Sequence, residues 1–133
     1  MRGRSLIAAA LLLAAPLTAS AGQQPEWRQS SEYDVLLEPY AYQPSEIRLE
    51  AGRPVRLRFV NSGQRSLTLS APGFFRASRL RPGDEEALRG GTLRLEPGER
   101  RTIVLVPVAG RYRIRSANLL HRLLGMTGRI VVE

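Results

Sequence analysis

The sequence predicts an all-β domain, folded as a sandwich or a barrel, and three kinds of observation support this class. Short apolar segments are separated by Gly and Pro at intervals of about ten residues, as in proteins built from many short strands. Within these segments apolar residues alternate with arginines, so one face of each strand is apolar and the other is charged. Turn-forming residues stand between the segments, at 51–54, 61–63, 96–99 and 107–110.

Eight strands are predicted from this alternation. In one of them Val55, Leu57 and Phe59 share a face, while the two arginines between them point to the other. The segment 75–91 breaks the pattern with Arg-rich, Pro-Gly and acidic stretches, so we expect a loop there with a helical turn at 84–89. In chain order the predicted strands are 33–37, 46–50, 55–60, 67–70, 92–95, 102–106, 111–115 and 129–132.

The segment 1–21 has the pattern of a secretory signal peptide. Two arginines precede an apolar run at 6–17, and small residues follow at 19–21. The apolar run is too short and too weakly flanked for a membrane span, and a buried N-terminal helix is the alternative interpretation. With a signal peptide, 22–31 is a flexible leader and 32–133 is a single domain. The protein is then expected to be periplasmic or secreted.

Composition restricts the chemistry that is available. The chain contains no Cys, which excludes disulfides, iron–sulfur clusters and thiol chemistry. It carries 20 basic and 12 acidic residues, a formal net charge of +8, and every basic residue is Arg. A polyanion or anionic-lipid partner is one interpretation of this charge. A solvated outer sheet face is the other, and the scattered positions of the arginines favour it. No nucleic-acid partner is expected.

A segment near the C-terminus has a regular spacing of polar and sulfur-containing side chains. A predicted strand leads to Ser116, His121 follows five residues later, and Met126 follows after five more. This spacing resembles the last metal loop of the cupredoxins, the small blue-copper proteins, in which Cys, His and Met occupy these positions. The resemblance covers about 33–133 and implies a Greek-key β-sandwich or barrel of about seven or eight strands. It also rests on Tyr42, Pro44, Ile47 and Gly52, on Asn61 at a strand end, on the Ala-Pro-Gly-Phe-Phe stretch 71–75, on Pro97 and Gly98, on Ala109, Gly110 and Tyr112, and on Gly125 and Gly128 around Met126.

The resemblance implies a copper site that has lost two of its four ligands. A blue-copper centre takes two His nitrogens and a Cys thiolate, with a weak axial Met. By position, His121 and Met126 are the two remaining ligands, whereas Leu67 and Ser116 stand where the other His and the Cys are found. Neither side chain replaces a charged thiolate or an imidazole, so His121 and Met126 are interpreted as vestigial and tight copper binding is not expected. Weak copper binding, or binding with ligands shared from a partner, is the alternative.

Ser116 and His121 also suggest a nucleophile and its base. No third group that would orient the His is evident, and no oxyanion donors can be argued from the sequence, so no enzymatic activity is expected. A simpler interpretation places His121 half-buried on a short helical turn, with its nitrogens bonded to nearby polar groups. Met126 then fills core space, as a single Met commonly does.

The loop that follows Ser116 is unusually apolar. In blue-copper proteins the surface around the exposed His is a hydrophobic docking patch, and the resemblance implies a similar surface here for an envelope protein partner. The competing hypothesis is that Leu67 and some of the loop leucines fill the vacated metal pocket, and solvent exposure distinguishes the two. The expected protein is a monomeric, non-enzymatic binding or accessory module. We call the four loop leucines the leucine patch: Leu119, Leu120, Leu123 and Leu124.

Overall fold

The computed structural model describes residues 3 and 24–133, and within these residues the chain forms a sandwich of two β-sheets. Two short α-helices lie between strands, and two 3-10 helices lie at Trp27–Gln29 and Asp84–Ala87. The elements are β1 (Ser31–Glu38), β2 (Ala41–Gln43), β3 (Glu46–Leu49), β4 (Val55–Asn61), β5 (Leu67–Ser70), α1 (Pro72–Ala77), β6 (Arg79–Leu80), β7 (Leu88–Arg89), β8 (Thr92–Leu95), β9 (Arg100–Val106), β10 (Gly110–Arg115), α2 (Leu119–Leu123) and β11 (Thr127–Val132).

The first sheet has five strands in the order β2-β1-β4-β9-β6. Strand β1 runs parallel to β4, and β9 runs antiparallel to β4 on its other side. In β4 the predicted alternation is present, because Val55, Leu57 and Phe59 are buried while the arginines between them are not. One face of the sheet therefore supplies the core, and the other carries charge into solvent.

The second sheet has six strands in the order β3-β11-β10-β5-β8-β7. Strand β3 runs parallel to β11, and the other neighbours are antiparallel. Strands β5 and β10 pair only at their ends, where Ser70 is opposite Arg115. Because the pairing is antiparallel, the residues that follow β10 run alongside the earlier residues of β5. This register brings Ser116 next to Thr68.

Helix α1 covers one part of the core. Pro72 begins it, which suits a first helical position where the missing N–H has no intrahelical partner. Phe74 and Phe75 are both buried, and the ring of Phe74 lies edge-to-face with that of Tyr112, with centroids 5.4 Å apart. The helix was not predicted, because six residues that begin with Pro-Gly show no helical periodicity.

The all-β class is confirmed, and all eight predicted strands are present with ends within two residues of the prediction. The described residues contain eleven strands instead of seven or eight, because β2, β6 and β7 are only two or three residues long. Segments of that length are too short to show alternation. The predicted helical turn at 84–89 is the 3-10 helix Asp84–Ala87.

The predicted signal peptide 1–21 lies outside the described residues, apart from Gly3. In the predicted leader, 22–31, the 3-10 helix Trp27–Gln29 precedes β1, whose first amide donates to the carbonyl oxygen of Pro54 at 3.2 Å. Among residues 3 and 24–133 we find no helix that is both long and apolar enough to cross a membrane.

Candidate functional site

The N-terminus of helix α2 is capped by Asn118, the residue that precedes the helix. The Asn118 side-chain oxygen accepts hydrogen bonds from the amides of Leu120, at 2.9 Å, and His121, at 3.3 Å. Asn is among the preferred N-cap residues because its side chain pairs with amides that have no partner inside the helix. The cap starts a helix of only five residues, and this helix carries His121. The predicted helical turn is therefore present.

Ser116, at the position of the Cys in the resemblance, is fully buried, and its hydroxyl is engaged in hydrogen bonds. Its Oγ lies 3.1 Å from Thr68 Oγ1 and accepts a hydrogen bond from the Asn118 amide at 3.2 Å. Thr68 Oγ1 in turn accepts from the Ala117 amide at 2.8 Å. The hydroxyl pair thus connects β5 to the loop that follows β10. Thr68 was missed by the sequence analysis, since its partner is 48 residues away in the chain.

Met126 and His121 are connected to Ser116 through the backbone. The Met126 amide donates to the His121 carbonyl oxygen at 3.0 Å, and the Ser116 amide donates to the Met126 carbonyl oxygen at 3.2 Å. The Met126 side chain is completely buried and belongs to the hydrophobic core, as the packing interpretation predicts. The three positions predicted from the metal loop therefore form one backbone-bonded unit.

His121 is half-buried and lies against an aromatic ring. Tyr40, which follows β1 and has a positive φ of 63°, presents its ring edge-to-face to the imidazole, with centroids 5.5 Å apart. The Nδ1 atom of His121 is buried and has no hydrogen-bond partner among the described residues. A buried nitrogen without a hydrogen bond lowers the free energy of unfolding. Most such atoms in proteins have a hydrogen-bond partner, so this nitrogen is an exception.

Leu67, at the position of the missing His, faces the same side of the domain as His121. Both residues line a cavity of about 440 Å³, together with Tyr40 and Gly63. Leu67 is only 2% exposed and packs in the core cluster. A hydrocarbon thus lies beside the imidazole where the resemblance places a second nitrogen ligand.

The donor set does not fit a blue-copper centre. His121 supplies an imidazole and Met126 a thioether, while Leu67 has no donor atom and the Ser116 hydroxyl is already bonded to Thr68 and to an amide. Among residues 3 and 24–133 no group of three or more His, Cys, Asp or Glu side chains could hold a metal ion. A copper ion in this geometry would lack the thiolate, which provides the short bond and the negative charge.

The arrangement of Ser116 and His121 does not resemble a nucleophile and its base. The hydrogen bonds of Ser116 Oγ go to Thr68 and to the Asn118 amide, not to the imidazole. A general base has to accept the proton of the nucleophile, which requires hydrogen-bond contact between the two groups. The geometry therefore gives no support to hydrolytic chemistry at this pair.

The leucine patch is exposed, whereas Leu67 is buried. The exposed fractions of the four leucines run from 53% to 75%, and Tyr40 beside them is 45% exposed. The competing hypothesis agrees with the burial of Leu67, but it is wrong for the loop leucines, none of which is buried. Scattered exposed apolar residues are common, whereas these four lie together on and directly after one short helix.

Several solved structures share this arrangement of strands, although no protein-family model matches the chain. Reduced auracyanin from the photosynthetic bacterium Roseiflexus castenholzii has 19% identity, covers 78% of this chain and 98% of its own, and has a TM-score of 0.57. Auracyanin B has 19% identity, coverage of 84% and 92%, and a TM-score of 0.55. A multicopper oxidase from Pseudomonas thermotolerans has 21% identity and a TM-score of 0.60, but the match covers 78% of this chain and only 29% of the oxidase.

These similarities show that the chain has the cupredoxin fold, so the predicted resemblance is confirmed at the level of the fold. Sequence identities of 19–21% support a shared fold, but they do not show that this chain shares the chemistry of those proteins. Within that fold this chain has no Cys at all, and the two ligand positions predicted to be vacant hold Leu67 and Ser116. A cupredoxin-like β-sandwich that contains no cysteine is the class that the fold and the sequence define.

Proposed function

We propose that this chain is an exported, non-enzymatic binding or accessory module that has lost the type 1 copper centre of its fold and docks an envelope protein through the leucine patch. The observation that carries the proposal is the exposure of four leucines around helix α2. Burying such a surface against a partner is favourable, at about 25 cal/mol for each Å² of apolar area removed from water.

The interior next to the patch supports a binding role in preference to a redox role. Leu67 and Met126 are core residues, and the Ser116 hydroxyl connects the loop after β10 to β5 through Thr68. Electron transfer requires a redox centre, and these side chains supply packing and hydrogen bonds in place of ligands. At this end of the domain, the leucine patch is therefore the surface whose burial would stabilise a complex with another molecule.

The docking surface is tested with the double variant Leu120→Asp/Leu123→Asp. Charged side chains in place of two exposed leucines should remove the apolar contact without disturbing the core, so recovery of the partner by cross-linking and affinity capture from envelope extract should fall at least about tenfold. A tenfold loss corresponds to about 1.4 kcal/mol of binding free energy. Val108→Asp is the matched control, because Val108 is 50% exposed in the loop at the opposite end of β10. Equal capture by the wild type and the double variant would contradict the proposal.

A second candidate function is weak copper binding by His121 and Met126, completed by ligands from a partner chain. The buried His121 Nδ1 without a hydrogen-bond partner favours it, because that atom is available as a ligand. Titration of the purified protein with Cu(I) and Cu(II) tests this candidate. We expect no submicromolar binding to the isolated protein. Submicromolar affinity that is abolished by His121→Ala would replace the first proposal with this one.

A further inference from the structure

A groove on the outer face of the second sheet gathers four arginines from three elements. Strand β10 contributes two of them, helix α2 contributes one and β11 contributes one, and the groove has a volume of about 710 Å³. Its other lining residues are neutral, and they include Ser45 and Thr127. A concave site with this concentration of guanidinium groups attracts anions. The four arginines, called the arginine groove, are Arg113, Arg115, Arg122 and Arg129.

Charge is poorly balanced in the arginine groove. Arg129 lies directly opposite Arg113 in the β10–β11 register, and like charges in directly opposed positions destabilise a sheet. Glu46 lies 3.2 Å from Arg129 and 3.3 Å from Arg48, so one carboxylate is divided between two guanidinium groups. The ion pairs found among residues 24–133 leave Arg113 and Arg115 without an acidic partner.

Arg122 adds a partly buried donor to the same groove. Its Nε is buried and has no hydrogen-bond partner among the described residues. Like Arg113 and Arg115, it has no acidic partner within the described part of the chain. A buried donor left unpaired carries a desolvation cost. The guanidinium of Arg122 therefore adds positive charge to the groove that no carboxylate neutralises.

We propose that the arginine groove binds a phosphate-bearing ligand with two or more negative charges. Three guanidinium groups in the groove have no carboxylate partner, and planar Arg forks pair well with phosphate oxygens. The net positive charge of the groove favours a ligand with more than one negative charge. Thr127 and Ser45 add hydroxyl groups at its edge. This site is separate from the docking surface in the proposed function.

The test uses inorganic tripolyphosphate as a probe, with binding measured by calorimetry at low and at physiological ionic strength. Wild-type protein should bind it, and Arg113→Gln/Arg115→Gln should weaken binding at least about tenfold. Arg56→Gln/Arg100→Gln is the matched control, since it removes the same charge from the outer face of the other sheet, on β4 and β9. Loss of the Arg113–Arg129 repulsion should leave the melting temperature of the groove variant unchanged or raised, which excludes misfolding as the cause.

Further binding measurements identify the chemical class of the ligand and the source of its phosphate. Citrate carries less negative charge than tripolyphosphate at neutral pH, so its matched comparison is pyrophosphate, which carries a similar charge on phosphates. Citrate should bind at least about tenfold more weakly than pyrophosphate. Vesicles containing phosphatidic acid, compared with phosphatidylcholine vesicles, test a lipid headgroup as the source of the phosphate. Groove-dependent binding of tripolyphosphate or of phosphatidic acid vesicles supports the proposal. The uncharged variant Leu120→Ser/Leu123→Ser, which adds no negative charge beside Arg122, should keep this binding even if the proposed docking function fails. Equal weakening by the groove and control variants, equal binding of citrate and pyrophosphate, or binding of neither tripolyphosphate nor phosphatidic acid vesicles would overturn it.

Discussion

Asn61 and Ser116 are the two polar side chains buried within residues 24–133, and both are fully hydrogen-bonded. The Asn61 amide group donates to the carbonyl oxygens of Arg65 and Leu95 at 2.8 and 2.9 Å, and its oxygen accepts from the Gly63 amide at 2.8 Å. These bonds fix the turn after β4 to the end of β8. The sequence marked Asn61 as a strand end, but its bond to Leu95 spans 34 residues and follows only from the fold.

Tyr42 lies behind the candidate site, and its hydroxyl donates to the Thr68 carbonyl oxygen at 2.7 Å. Tyr42→Phe should lower the free energy of unfolding at pH 7 by about 1 kcal/mol, because that buried hydrogen bond is lost. Urea denaturation measures the change. Tyr33→Phe is the control, since the half-buried Tyr33 hydroxyl has no hydrogen-bond partner among the described residues. A loss as large in the control would mean that removal of a tyrosine hydroxyl in general, and not the hydrogen bond to Thr68, is responsible.

The same hydroxyl makes stability depend on alkaline pH. Burial raises the pKa of Tyr42 well above its ordinary value of about 10. Above that pH the unfolded chain releases a proton that the folded protein retains, so the free energy of unfolding should fall as the pH rises from about 10. Denaturation curves between pH 7 and 11 should show a shallower decline for Tyr42→Phe than for wild type. Parallel declines would show that other groups cause the dependence.

At the scale of elements, β11 closes the second sheet against β3 and depends on a residue without a side chain. A Cβ atom on Gly128 would lie 2.6 Å from the carbonyl oxygen of Ser45. That carbonyl already accepts the Arg129 amide at 2.9 Å, so it is not free to move away. The Gly in the Gly-Met-x-Gly pattern is thus explained by close packing of two backbone segments.

Gly128→Ala should destabilise the protein by about 1–3 kcal/mol, since the added methyl overlaps a fixed backbone oxygen. Thermal or urea denaturation provides the measurement. Gly73→Ala is the matched control: it lies in α1, and its Cβ would come no nearer than 3.8 Å to Tyr112. Ala is the better helix former, so the control should be neutral or slightly stabilised. Two equally destabilised variants would count against the packing argument.

Helix α2 orients its side chains toward three different surroundings. Asn118 starts it, and the Leu124 amide ends it by donating to the Leu120 carbonyl oxygen at 3.1 Å. In between, the helix presents leucines to solvent, His121 to Tyr40 and Arg122 to the arginine groove. Five residues therefore connect the proposed docking surface to the proposed anion site.

At the scale of the whole molecule, the sandwich has the cupredoxin fold, and the resemblance assigns Leu67 and Ser116 to two of the four ligand positions. We predict that Leu67→His/Ser116→Cys restores four ligands together with His121 and Met126. The purified double variant should then develop an intense visible charge-transfer band with Cu(II), because thiolate-to-copper bonding produces it. Absorption spectroscopy measures the band.

Ser116→Cys alone is the control for that experiment, and it should give at most an incomplete and labile site. Circular dichroism establishes whether each variant folds, since His at the buried position of Leu67 adds a polar group to the core. A folded double variant that stays colourless with Cu(II) would mean that Leu67 is not the position of the missing His.

Local pattern alone determined the all-β class and the eight longer strands of this protein. Alternation with period two is a property of consecutive residues, which is why β4, β5 and β8 are predictable from their own residues. The spacing of Ser116, His121 and Met126 likewise identified the loop, because these residues are close in sequence. Helix α1 and the shortest strands escaped prediction, since their form depends on the core that they cover.

Only the tertiary structure decided which distant residues meet. The contact between Thr68 and Ser116 and the burial of Leu67 follow from the register of β5 against the end of β10. The exposure of the leucine patch and the gathering of scattered arginines into one groove depend on how α2 lies beside the second sheet. Such contacts join residues that are far apart in the chain. Their free energies depend on side-chain packing and on strand register, which the conformational preferences of neighbouring residues do not determine.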